Sequence, residues 1–176
     1  MKGSRTINGF DIHEISDVIE TITKSPKRAK AKVRAIYEWE VSAKKSGFTE
    51  DSFFANLDNS FSSHPCVILN KNEWVIPIKL LLESLTKSMT TTMLIHSAAR
   101  GIEIMALTIS VAAETDIRGF MQLDDAIRSG FKEVKIEMII KGNLSETQKN
   151  QLIQYAIEAP IYDVLSNNVT LNTSTH

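Results

Sequence analysis

PIKLLLESLTKSMTTTMLIHSAARG, residues 77–101, is the stretch on which the fold turns. Proline at its head costs a helix little, because the first N–H groups of a helix have no intrahelical partner. Gly101 at its foot suits a left-handed C-cap, and Arg100 in the last turn complements the dipole. About 24 residues at about 1.5 Å each make a rod of about 36 Å, enough to cross a small domain. Apolar residues and threonines surround much of the rod, so burial on most sides is expected.

The flanks of this helix read as strands and shorter helices. Asp11 or Ser16 can cap a first helix whose apolar positions Ile12, Ile15, Val18, Ile19 and Ile22 recur at helical spacing. Ser25-Pro26 ends it, since the residue before proline is pushed out of the α region. The basic stretch Lys27–Lys32 reads as a solvated linker. Val33–Val41 alternates as a half-buried strand, Lys44–Gly47 as a turn, Phe48–Leu57 as a second edge and Pro65–Leu69 as a further strand. Beyond the long helix, Ile102–Ala113 and Lys132–Lys141 alternate as strands on either side of an irregular excursion at 116–131. Ser145 and Gln148 have the spacing of a capping box, opening a helix that runs toward Pro160, and Val169–Thr173 is expected to close as a strand. The pattern is α+β: an amino-terminal helical segment (1–26), a β-meander (33–70), then helix-strand-strand-helix-strand (77–176), all within one domain spanning 1–176.

Composition narrows the function. A formal net charge of −1 supplies no drive toward phosphate backbones, so nucleic acid is not an expected partner. One cysteine, Cys66, excludes an internal disulfide and suits a reducing compartment. The amino end lacks the apolar run of a secretory signal, and the expected location is cytoplasmic. Lys79, Glu83 and Lys87 make 75–99 too polar to span a membrane, where one central charge costs roughly 2.5–3.5 kcal/mol. The histidines at 13, 64, 96 and 176 show no ligand spacing, and no glycine-rich phosphate loop is present, so neither a metal nor a cofactor is expected.

Five ordered segments carry a resemblance. They are the Pro-led helix, TTTMLIHSAARGI (90–102), RGFMQL (118–123), RSGF (128–131) leading into a strand, and PIYDVLSN (160–167). In this order they resemble the OsmC/Ohr family of osmotically inducible and organic-hydroperoxide-resistance proteins, over about residues 6–175. The resemblance implies an OsmC-like fold in an intertwined homodimer, with the long helices central and a small site at the subunit interface. In that family a cysteine thiolate attacks a hydroperoxide oxygen and becomes a sulfenic acid. A second cysteine condenses with it to a disulfide, which a dithiol reduces. An arginine supports the first thiol, and in part of the family a glutamate holds that arginine.

Carried onto this chain, the first cysteine position holds Ser88 and the second Ala159. Lys79 stands about where the glutamate would be, and Arg34 matches the arginine. The chemistry needs a soft thiolate accessible near neutral pH, which a serine hydroxyl is not. The expectation is a family member without the thiol site. It would be a non-catalytic homodimer whose small apolar pocket takes an apolar or carboxylate ligand, with Arg34 and Lys79 near the acid. The alternative is a thiol-dependent hydroperoxide reductase of oxidative-stress defence with displaced or residual activity, resting on Cys66. Ser88 as a hydrolytic nucleophile lacks a base within reach, since His96 is two turns away and no G-x-S-x-G elbow exists. Ser88 is expected to bond the preceding turn of its own helix.

Overall fold

The computed structural model describes residues 5–42, 45–48 and 75–175. Among the described residues the architecture is mixed α+β, with two sheets and five helices. The first sheet is a two-stranded ribbon, β1 (Thr6–Ile7) and β2 (Phe10–Asp11), paired antiparallel with Ile7 opposite Phe10. Asn8 and Gly9 between them have φ of 54° and 87°. A two-residue hairpin matched to the strand twist requires two such left-handed residues, and Asn-Gly adopts them at least cost.

Helix α1 (Ile12–Lys24) follows at once. Asp11 is its cap, accepting the His13 N–H at 2.8 Å, and Ser25 ends it ahead of Pro26. The basic stretch is more ordered than a linker. Pro26–Ala29 forms a 3-10 turn and Lys30 already opens β3 (Lys30–Glu40). β3 alternates cleanly, with Ala31, Val33, Ala35 and Tyr37 buried. The turn comes earlier than expected, at Val41–Ser42, and Lys45–Phe48 is β4, paired antiparallel with β3. Residues 49–57, Pro65–Leu69 and Cys66 lie outside the described residues.

The long helix, α2 (Val75–Ala98), starts two residues before Pro77. Pro77 still falls in the first turn, where its missing N–H removes no bond. Gly101 takes the left-handed conformation at φ 67°, and Arg100 Nη1 donates to the His96 carbonyl at 3.2 Å. Within one chain the helix is one-sided, a correction to burial on most sides. Leu82, Leu85, Thr86, Met89, Thr90, Met93 and Ser97 make the buried stripe. Leu80, Ser84, Lys87, Thr91 and Ile95 lie exposed on the opposite one. Buried hydroxyls on the inner stripe are satisfied locally, Thr86 by Glu83 O at 2.8 Å and Thr90 by Thr86 O at 2.9 Å.

β5 (Ala106–Asp116) runs later than Ile102–Ala113. The alternation changes phase between Ile104 and Leu107, both buried, across an exposed Met105. Met105 nonetheless pairs its backbone on both sides, donating to Lys141 O at 2.8 Å and accepting from Val41 N at 3.1 Å. The excursion opens with a short helix, α3 (Ile117–Phe120), and leads to β6 (Val134–Lys141). The second sheet has the order β4-β3-β5-β6. Helix α4 (Glu146–Ile157) begins at the expected capping box, with both reciprocal Ser145–Gln148 bonds present. It stops short of Pro160, which opens a further helix, α5 (Pro160–Ser166). Residues 169–173, expected as a strand, are irregular and exposed.

The chain divides into two compact units. Of the described residues, the first holds 5–35, 75–82 and 111–136, and the second holds 36–42, 45–48, 83–110 and 137–175. Val18, Ile22, Val33, Leu82, Val111 and Ile117 are core residues of the first. Leu85, Met89, Met93, Leu107, Ile109 and Leu152 are core residues of the second. Among the described residues no helix is long and apolar enough to cross a membrane.

Candidate functional site

In the second unit, two segments far apart in sequence meet at Ser88. Ala159 is extended, with φ −65° and ψ 138°, as a residue before proline must be, and is fully buried. Pro160 then starts α5, so the Ile161 N–H falls in the first turn and has no helical acceptor. It points at Ser88 Oγ, 3.5 Å away, the outer limit of a hydrogen bond. Ser88 thus reaches across to α5, whereas the neighbouring Thr92 hydroxyl bonds backward to Ser88 O at 2.9 Å. Back-bonding, expected of Ser88, belongs to its neighbours.

Around this junction lies a shallow open pocket of about 350 Å³, lined by Ser84, Lys87, Ser88, Thr91, Thr92, Pro160 and Ile161. Carbon makes up the larger part of its wall, and its polar side chains are four hydroxyls and one ammonium. No imidazole, carboxylate or sulfur is among the described lining residues. Among the described lining residues, none offers Ser88 a general base or a thiol partner.

His96, two turns along α2, belongs to a different cluster of the same unit. Its ring lies 5.2 Å from that of Tyr155, and its Nδ1 is 3.9 Å from the Glu158 carboxylate. The Arg100 guanidinium sits 4.7 Å over the Tyr155 ring, a cation-π contact. The cluster ties the end of α2 to the residue preceding Ala159.

The other two expected site residues lie in the first unit: Arg34 is half-buried on β3, and Lys79 is half-buried near the start of α2. Both are engaged with partners. A bidentate, largely buried ion pair of that unit lies in the RGF segment. Arg118 donates to Asp116 through Nε at 3.0 Å and Nη2 at 2.7 Å, while its backbone N–H also caps onto Asp116 Oδ1. Burial raises the Asp116 carboxyl, but the bonds and charge of Arg118 outweigh it and hold the group below the ordinary aspartate range. The same pairing pushes the Arg118 guanidinium upward. Lys32, Lys132, Lys135, Glu114 and Glu133 line a second open pocket of about 380 Å³, a face on which lysines outnumber carboxylates, with Lys30 bridging to Glu114 at 3.0 Å. Among the described residues no group of three or more His, Cys, Asp or Glu could hold a metal ion.

Sequence reading found Ser88 and Ala159 but missed Ser84, Lys87, Thr91 and Ile161. The signal for the first three was present, since 84, 87 and 91 share one helical stripe with 88, at i, i+3, i+4, i+7. Nothing local could have identified Ile161. No protein-family model matches this sequence, and no curated protein matches it either.

Proposed function

We propose that this chain is an OsmC-like protein without the family's thiol chemistry, acting as a homodimer that binds a small molecule at the Ser88 pocket. One observation carries the reading. The two stretches that resemble the family's cysteine-bearing segments meet at the Ser88–Ile161 contact, and the pocket there holds hydroxyls and a lysine where the chemistry would need sulfur. The exposed stripe of α2, with Leu80 and Ile95 more than half exposed, supports a second subunit covering that helix. Obligate interfaces bury about 2,000 Å² or more, a scale a helix of this length helps to supply.

The test is turnover of cumene hydroperoxide with a dithiol reductant. Wild type is expected to show none above background, and a Ser88→Cys/Ala159→Cys protein is expected to gain a peroxide-consuming thiol. Turnover by the wild-type chain would refute the non-catalytic reading. Its loss on Cys66→Ala would assign the activity to that thiol. A folded monomer at micromolar concentration in sedimentation would refute the dimer.

A further inference from the structure

The chemistry of the pocket wall selects among ligands. Ser84 and Thr91 side chains make no hydrogen bond among the described residues, nor does the exposed Lys87 ammonium make an ion pair. Ser88 Oγ already accepts the Ile161 N–H, so its own proton is what remains to offer. Thr92 has donated its proton to Ser88 O. The free polar atoms therefore amount to three hydroxyl donors and one cation, gathered on one stripe of α2, with Pro160 and Ile161 facing them as an apolar wall. Among the described residues no carboxylate lines the pocket to repel a negative charge or compete for the lysine.

Resting on the reading of this pocket as a binding site, we propose that its ligand is a small organic acid. The acid's anionic oxygens are held by Lys87, Ser88 and Thr91, within one turn of α2, and its hydrocarbon lies against Pro160 and Ile161. This moves the anion contact away from Arg34 and Lys79, where the sequence placed it. A carboxylate meets the donors of Lys87, Ser88 and Thr91 with acceptor-only oxygens, and the match of ammonium to carboxylate is the strong class of hydrogen bond. A neutral amide of the same length fills the apolar wall but offers one oxygen and no charge.

Calorimetric titration of the full chain with hexanoate and with hexanamide separates the possibilities. Hexanoate is expected to bind at least tenfold more tightly than hexanamide. Lys87→Met should remove at least tenfold of the hexanoate affinity and leave hexanamide unchanged. Lys149→Met, which removes the same net charge from the first turn of α4, should leave both unchanged. Thr91→Ala should weaken hexanoate by a smaller factor. Thermal melts of each variant establish that it is folded. Equal affinity for the two compounds, or hexanoate binding indifferent to Lys87→Met, would overturn the anion assignment while leaving the pocket a binding site. Binding of neither compound would overturn this inference and the reading of the pocket together.

Discussion

Gly119 sets two physical effects against each other, and substituting it shows which wins. It lies inside α3, where replacing glycine by alanine ordinarily stabilises by about 0.5–1 kcal/mol, because glycine loses the most backbone freedom on folding. A Cβ built on Gly119, however, would stand 2.5 Å from Arg128 O, 2.6 Å from Ile127 O and 2.7 Å from Arg128 C. All three are backbone atoms, so no side chain can swing aside, and the two segments must part by most of an ångström. Each is held in place, Gly119 O by the Ser129 hydroxyl at 3.0 Å and the start of α3 by the Asp116–Arg118 pair. Overpacking of this kind costs about 1–3 kcal/mol, and loss of the Ser129 bond adds about 0.5–1.5 kcal/mol. The net expectation for Gly119→Ala is destabilisation by about 1–3 kcal/mol. In a chain of this size that lowers Tm by about 2–4 °C per kcal/mol. Urea denaturation with matched m-values is the assay, with Gly130→Ala as control. At Gly130 the nearest heavy atom to a Cβ is the flexible Arg128 Nη2 at 3.9 Å, so a change within about 0.5 kcal/mol is expected. A Gly119→Ala protein as stable as wild type, or more so, would refute the claim that close backbone approach is why glycine stands there.

Three further perturbations test the frame around the site. Ser145→Ala removes the reciprocal cap of α4 and should cost about 1 kcal/mol, read by denaturant melts, with Ser145→Asp recovering most of it. Met89→Ala, on the fully buried stripe of α2, should cost about 2–5 kcal/mol by the same assay. Asp116 is held below its ordinary value of 3.8, so its stabilising effect is full above that value and is lost as pH falls through the depressed folded one. Stability measured from pH 6 down to pH 2 should therefore fall less steeply in Asp116→Asn than in wild type, and an unchanged acid limb would count against the pairing.

Signals that act over a few residues are legible in the amino-acid sequence itself. Asp11 before an apolar 3.6 period, Ser145 three residues before Gln148, Gly101 beyond the last turn, and the alternation of 33–40 and 134–141 each act through the chain's own neighbouring groups. The α+β class and most element positions follow from them. Where reading failed, a neighbour distant in sequence had decided. Lys45–Phe48 looks like turn chemistry yet pairs with Tyr37–Glu40, because an open strand edge offers backbone bonds to any residue type. Residues 169–173 have strand composition but pair with no strand among the described residues, and β propensity expresses itself only against a partner.

The site divides the same way. The types of residue at 88 and 159, a serine and an alanine, are properties of the sequence alone. That the Ile161 N–H meets Ser88, and that Ser84, Lys87 and Thr91 line the same hollow, could come only from tertiary structure. A helix pattern says which residues share a stripe, since that is fixed by 100° per residue. Which stripe is covered depends on what the rest of the chain packs against it, and no periodicity within the helix carries that information.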